Sequence, residues 1–525
     1  MRTLTKEIGN TKYLFFIILL LGIGIRIANF GDIPTGINQD EAMASMDAVA
    51  LLTYGTDRLG MPNPVHFTAW GWAQMSVLLS YLMVPFIKLF GFSTVAIRLP
   101  LLLASLAGML FLYALIKRIL GEHAALLVFF LTAINPWHIM QSRWSLDCNL
   151  FPHLFAIGCF LLLIGIQKRG CLFVSMIFFG LCLYSYGVSV YSVPLFLFAA
   201  ALYLWRTKQI PLVQITLSAC IFGLIALPEL LTMFINLVGL DSIETPLFTI
   251  PYFAGTVRSK DILLTNFSFH QLFINIWYTL KSAFLQTPDL FHNTVPAFGT
   301  MYHLSVPFVL LGGYKLFASL KKETDLQKRN GLLLLAAWLI MGLLVGVITK
   351  EVNVNRINIL HYPCIILAAL GILFVTEKLP RLYAPIVVAY SILFIAFTGV
   401  YFSSYAKQSE QEYHADYLEA MRFADTLPID HLYISTDEHP QTMEILMQYA
   451  LNIDALYYQQ KTCLCNGKEY LPYSERYRFC YLAGESLDWE QPHTGYFVSK
   501  DEWIHLDASL YTVYDFGRYR LYVFE

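Results

Sequence analysis

The sequence predicts an all-α polytopic membrane protein that ends in a small α/β domain. Three observations carry this. The 525 residues are 57% hydrophobic and only 14% charged, with a mean hydropathy of +0.55, too apolar for a soluble chain of this length. Apolar runs of about 20 residues, the length that crosses a bilayer, recur as far as residue 403. After Ser403-Ser404-Tyr405 the apolar runs shorten and alternate with charge, the pattern of short strands and helices. The net charge of −2 offers no basic field, so a nucleic-acid partner is not expected.

The N-terminal segment Met1 to Lys12 is short and carries Arg2, Lys6 and Lys12. The run Tyr13 to Ile27 lacks a small-residue cleavage site and reads as a retained first span. Spans are expected over 13–30, 99–116, 124–141, 151–167, 171–187, 190–205, 211–228, 304–320, 331–348, 359–376 and 383–403, about eleven in all. A further apolar run, 74–90, is decided by charge. Short cytoplasmic loops are rich in Lys and Arg. The basic loops are Lys117-Arg118, Lys168-Arg169, Arg206 with Lys208, Lys321-Lys322 to Lys328-Arg329, and Lys378 with Arg381. All five share the side of the N-terminus only if 74–90 does not cross, so that run is expected to lie along or dip into the outer surface as a juxtamembrane helix.

This parity predicts a multi-pass plasma-membrane protein with a cytoplasmic N-terminus. It places 31–98, 142–150, 229–303, 349–358 and the tail outside the cell. Two domains are expected, a membrane domain over 1–404 and an extracytoplasmic α/β domain over 405–525. In the tail, His431 to Ser435, Arg476 to Leu482, Gly495 to Val498 and Tyr511 to Phe524 read as strands, and Gln441 to Leu451 as a helix. Six of the nine cysteines lie in or beside apolar runs, where a thiol serves packing. The other three, Cys463, Cys465 and Cys480, show no zinc-site spacing. An outer tail permits one disulfide to Cys480 from Cys463 or Cys465.

The stretch Gly36-Ile37-Asn38-Gln39-Asp40-Glu41-Ala42 follows the first span. Ionisable groups at membrane depth are functional candidates. Asp40 reads as a general base, which must be ionised and within hydrogen-bond reach of the proton it takes. Glu41 beside it raises basicity by like-charge repulsion or orients the loop. The competing reading is a helix N-terminus, where acids in the first turn complement the dipole. In Ser142-Arg143-Trp144-Ser145-Leu146-Asp147, Arg143 and Asp147 either pair at helical spacing or serve a polar cavity, Asp147 as metal ligand or acceptor-binding acid. In Lys350-Glu351-Val352-Asn353-Val354-Asn355-Arg356, Arg356 either snorkels or clamps a phosphate with its fork of donors. The loop 229–303 holds Arg258, Lys260, Asp261, His270, Asp289, His292 and His303. Its length points to a functional cap over a cavity. His138 reads as a satisfied core histidine, and Arg26 and Arg98 as structural or membrane-edge groups.

Together, Gln39-Asp40-Glu41-Ala42, Pro85-Phe86-Ile87, the run from Gly91 to Pro100 (Gly-x-Ser-x-x-Ala-x-Arg-Leu-Pro), Ser142-Arg143 with Asp147, and Asn355-Arg356 before Pro363 resemble a family. It is the lipid-carrier-dependent glycosyltransferases of the C-type fold, including the protein O-mannosyltransferases and the bacterial aminoarabinose transferases that modify lipid A. The resemblance covers about residues 10–370 and is strongest over 10–160. It implies inverting transfer from a polyprenyl-phosphate-linked sugar to a cell-envelope acceptor, a glycan, lipid or protein hydroxyl, on the extracytoplasmic face. It implies Asp40 as the catalytic base with Glu41 as its neighbour, Asp147 as a second acidic site, and Arg356 as a phosphate contact alongside Lys350 and Arg143. Relatives differ in using a divalent cation, for which Asp40 and Asp147 are the candidate ligands. The tail matches no family signature. A transporter or flippase would show paired halves with charges at the midplane, and a non-catalytic polysaccharide-assembly subunit would not need both acidic sites. Acids gathered at one rim favour the enzyme.

Overall fold

The computed structural model describes residues 2–524 apart from 256–262, 264–266, 350, 437–439, 462–463, 466–467, 470, 483–488, 503 and 505; of residues 2–10, 464–465 and 468–469 it describes the backbone alone. The chain opens with α1 (Arg2–Ile27), α2 (Gln39–Tyr54), α3 (Leu78–Phe90), α4 (Thr94–Leu120), α5 (Glu122–Ala133) and α6 (Pro136–Gln141). It continues through α7 (Phe151–Gly165), α8 (Arg169–Cys182), α9 (Ser189–Arg206), α10 (Leu212–Val238) and α11 (Phe269–Leu280). Then follow α12 (Ser305–Lys322), α13 (Leu326–Ile348), α14 (His361–Lys378), α15 (Tyr383–Val400) and α16 (Ala406–Glu412).

Every span expected from the sequence falls on a helix. Among the described residues, seven helical stretches are long and apolar enough to cross a membrane: Thr94–Leu120, Asp147–Gly165, Ser189–Arg206, Leu212–Val238, Leu326–Ile348, Asn358–Lys378 and Pro380–Glu412. The remaining expected spans, on α1, α5 with α6, α8 and α12, are helical but fall outside those seven. α3 has 13 residues, about 20 Å at 1.5 Å per residue, too short to cross a hydrocarbon core of about 30 Å. The run expected over 124–141 breaks at Asn135-Pro136. Asn135 caps α6 by accepting from the His138 amide at 3.0 Å, and Pro136 opens the new helix where its missing N–H costs nothing.

Arg26, inside α1, is fully buried and faces protein. Its guanidinium donates to the carbonyls of Gly22, Thr132 and Ala133 and meets His138 Nδ1 at 2.7 Å. His138 Nε2 and His153 Nδ1 both reach the Tyr362 hydroxyl, at 2.9 and 2.8 Å. The buried histidine at 138 is therefore satisfied, and this network ties α1, α6, α7 and α14.

The expected boundary at 404–405 lies inside a continuous helix, because α15 runs through a wide turn, Tyr401–Tyr405, into α16. The tail adds α17 (Ala415–Asp425), α18 (Pro440–Leu451) and a five-stranded mixed sheet. Strand His431–Ser435 lies parallel to both Tyr477–Cys480 and Thr494–Ser499. Thr494–Ser499 then pairs antiparallel with Tyr519–Phe524, and that strand with Thr512–Phe516. The stretch expected as one strand over Tyr511–Phe524 is a hairpin, turned at Gly517 with φ +50, a backbone conformation that favours glycine. Cys463 and the side chain of Cys465 lie outside the described residues, so the expected disulfide does too.

One hydrophobic core runs from the bundle into the tail, joining residues of α2, α4, α7 and α14 with Tyr413, Tyr417, Met443 and Met447. The Ile37 amide donates to the Tyr413 carbonyl at 2.7 Å. Gly36 makes this approach possible: its φ is +94, and a Cβ there would collide with that carbonyl. The C-terminal domain thus sits on the end of the bundle where the Asp-Glu motif lies.

Candidate active site

Asn38 caps α2 in a capping box, its side chain accepting from the helix and its own amide donating to Glu41. This places Asp40 and Glu41 together in the first turn, and the two acids then diverge. Glu41 is fully buried. Arg98, also fully buried in the first turns of α4, donates Nε to Glu41 Oε1 at 2.9 Å and Nη2 to Oε2 at 3.0 Å. The remaining donors of Arg98 hold the carbonyls of Gly31, Pro34 and Gly36. The Ser145 amide donates to Glu41 Oε1, and Ser145 Oγ donates to the Ile97 carbonyl at 2.8 Å. Glu41 is the centre of a closed knot that fixes three segments, the loop 31–38, the start of α4 and the turn 142–147.

Asp40 is half-buried. Its Oδ1 accepts the indole N–H of Trp70 at 2.8 Å. Trp70 stands on a loop anchored on both sides. Arg58 donates to the buried carboxylate of Asp47 and to the Thr68 carbonyl. His66 bonds Glu229 of α10 and lies 3.2 Å from the Met75 carbonyl. Sequence reasoning missed Trp70; the Trp70-Gly71-Trp72 cluster in a polar loop was its only signal.

Arg143, expected as a phosphate contact, has its donors on backbone carbonyls. It is fully buried and donates to the carbonyls of Ile25, Arg26, Ala28, Asn29 and Ile33, while lying over the Tyr401 and Phe402 rings. The Ile25 and Arg26 carbonyls are among the orphan acceptors of the last turn of α1, the others belong to the segment just beyond it, and a cation there is favoured. Arg143 is the C-terminal cap of α1.

Asp147 opens a short 3-10 turn, Asp147–Asn149, and accepts from the Cys148 amide at 2.7 Å. That turn is joined to the segment carrying Arg356. Asn358 donates to the Cys148 carbonyl and to Asn149 Oδ1, at 3.2 and 2.9 Å, and accepts the Trp137 indole N–H. Asp289 binds the same segment through the Val354 amide. His292 packs on Trp144, ring centres 4.8 Å apart. Burial pushes the His292 imidazole down to about 4, against the opposing pull of Asp289 and Glu41. Arg356 is one-quarter exposed and faces Glu351 at 3.6 Å, a loose ion pair. Lys350 lies outside the described residues, as do Arg258, Lys260 and Asp261. Among the described residues no three His, Cys, Asp or Glu side chains gather to hold a metal.

Asp40, Asp147 and Arg356 therefore stand on segments that meet at one end of the bundle, beneath the C-terminal domain. Glu41 and Arg143 stand there too, with their polar atoms committed to protein groups.

Residues 75–230 match the family model of dolichyl-phosphate-mannose-protein mannosyltransferase. No curated protein matches the chain. Among solved structures the chain is similar to ArnT from Cupriavidus metallidurans in the apo state, with a TM-score of 0.53 and 13% identity, covering 99% of this chain and 98% of that one. It is equally similar to the same protein bound to undecaprenyl phosphate, at 14% identity. It is also similar to the archaeal oligosaccharyltransferase AglB from Archaeoglobus fulgidus in complex with an inhibitory peptide and a dolichol-phosphate, with a TM-score of 0.50 and 14% identity over 83% of this chain and 63% of that one. The chain has the C-type glycosyltransferase fold. The family match adds the enzyme class: a membrane glycosyltransferase that depends on a polyprenyl-phosphate-linked sugar.

Proposed function

We propose that the protein transfers a sugar, with inversion, from a polyprenyl-phosphate donor to a hydroxyl of a cell-envelope acceptor on the extracytoplasmic face. Asp40 is the base. The observation that carries this is the contrast within the first turn of α2: Glu41 is closed off by Arg98 and Ser145, whereas Asp40 is half-buried at the edge of the same fixed frame. The acceptor O–H donates to the Asp40 carboxylate. As the proton moves to Asp40, the oxygen attacks the anomeric carbon from the face opposite the phosphate, and the bond from that carbon to the phosphate oxygen breaks. Negative charge grows on the leaving phosphate, where the Arg356 guanidinium supplies charge-assisted hydrogen bonds. Asp147 binds the acceptor hydroxyls beside it. Glu41 and Arg143 are positioning residues that hold the frame.

The charge distribution along α4 supports this orientation. Arg98 and Arg118 are 20 residues apart on one helix, about 30 Å, which is the thickness of the hydrocarbon core. Arg118 binds Gln167 beside Lys168-Arg169, so two of the basic loops gather at the end away from Asp40. The positive-inside rule puts that end in the cytoplasm and Asp40 with the 405–525 domain outside. Mass spectrometry of envelope glycans from a strain lacking the gene tests this reading. One sugar should disappear and return with the wild-type gene. An envelope identical in composition contradicts the reading.

A further inference from the structure

Asp40 heads a face of α2 that continues through Met43, Met46, Ala50 and Tyr54, at helical spacings of three and four. Fourteen residues along the axis are about 21 Å. Over this length α18 packs on α2, burying Met43, Met46 and Ala50, and cavities open beside that contact. Next to Trp70, whose indole binds Asp40, lies a cavity of about 140 Å³ bordered by Met43, Trp72, Gln441 and Glu444. Farther along α2 lies a second, of about 440 Å³, bordered by Met46, Tyr54, Asn452 and Asp454. Arg58, Gln448 and Tyr458 border both, so the two cavities are neighbours and together form a groove beside α2, its near end at Trp70, the Asp40 partner. α2 forms one wall, and α18 with the segment behind it forms the other. The Gly71 amide donates to Gln441 Oε1 at 3.0 Å, and the Tyr54 hydroxyl to Asp454 at 2.7 Å, which hold the walls in register.

The lining has a definite chemistry. Flat rings, Trp72, Tyr54 and Tyr458, line it together with the side-chain amides Gln441, Gln448 and Asn452, among aliphatic side chains. Trp72 is 59% exposed. Aromatic faces bury the C–H surface of a ring while amides bond its hydroxyls. Among the described lining residues the one cation, Arg58, is paired with the buried Asp47, and Glu444 and Asp454 add negative charge. Such a groove disfavours phosphate and carboxylate groups. Its described walls are mainly helix and loop, with no long strand edge of the kind that captures an extended peptide.

We propose that this groove binds the acceptor, and that the acceptor is an uncharged oligosaccharide whose terminal hydroxyl is led along α2 to Asp40. This rests on the glycosyltransferase reading above and gives the C-terminal domain a task, forming half of the acceptor site. The test is saturation-transfer-difference NMR on the full-length protein in lipid nanodiscs. The probes are neutral tetrasaccharides of glucose, galactose, mannose and N-acetylglucosamine, a glucuronate-containing tetrasaccharide, and a Ser/Thr hexapeptide. Transfer to at least one neutral tetrasaccharide is expected, falling at least fivefold in Trp72→Ala or in Asn452→Ala, two positions at the groove surface. Transfer to none of the neutral sugars, transfer that neither substitution changes, or transfer to the peptide or the acidic sugar alone overturns the proposal. Failure here is distinct from failure of the base assignment. Asp40→Asn with full turnover would remove the base and leave sugar binding in the groove untouched.

Discussion

Asp40 and Glu41 share a peptide bond and the first turn of one helix, yet they belong to two regions built on opposite terms. Around Glu41, two buried arginines spend their donors on carboxylate and carbonyl oxygens, and little is left to meet a substrate. Asp40 and Arg356 are both partly exposed, and the ion pair of Arg356 is loose. The comparison teaches that charge at a membrane boundary is no sign of chemistry by itself. What separates the frame from the site here is burial: Glu41 is sealed inside, and Asp40 is half-buried.

The comparison breaks first at Arg98. Arg98→Leu strands a buried carboxylate and three carbonyls, and loss of one partner of a buried pair costs about 3–5 kcal/mol. Detergent-extracted protein should lose its monodisperse peak in size-exclusion chromatography and melt far below the wild type; wild-type melting would mean that the knot does not hold the frame. Arg356→Leu should do the reverse. Exposed ion pairs contribute only about 0–1 kcal/mol, so melting should stay put. Charge-assisted bonds of about 1.5–3 kcal/mol to the phosphate would be lost, and turnover of the lipid-linked donor should fall about 10- to 100-fold.

A smaller effect sharpens the electrostatic side. His292 is held at about 4 by burial, below the unfolded value of about 6.5. The folded state therefore resists a proton that the unfolded chain accepts. Stability from this group is intact above about 6.5 and declines as pH falls toward 4. His292→Gln removes that titration, so the wild type should lose melting temperature relative to the variant across this window. Parallel melting curves against pH would contradict the buried neutral imidazole.

Much of this was legible in the sequence. The helical positions followed from apolar runs. The Asp-Glu motif announced itself because acids at membrane depth need a reason. Three things were not legible, each for a physical reason. A guanidinium fork suits phosphate and carbonyl oxygens alike, so the sequence could not show that Arg143 spends its donors on carbonyls at and beyond the end of α1. The Trp70 contact to Asp40 spans 30 residues, from the first turn of α2 to the irregular loop that follows the helix, and no periodicity encodes it. The hairpin at Gly517 is hidden because alternation runs unbroken on both sides of the turn.

The central claim is that Asp40 is the base. With lipid-linked sugar extracted from wild-type membranes, release of polyprenyl phosphate by reconstituted Asp40→Asn protein measures it most directly. General-base catalysis contributes about 10²- to 10⁴-fold, so release should fall by that factor while the melting temperature stays that of the wild type. Release at the wild-type rate from a properly folded Asp40→Asn protein would contradict the account.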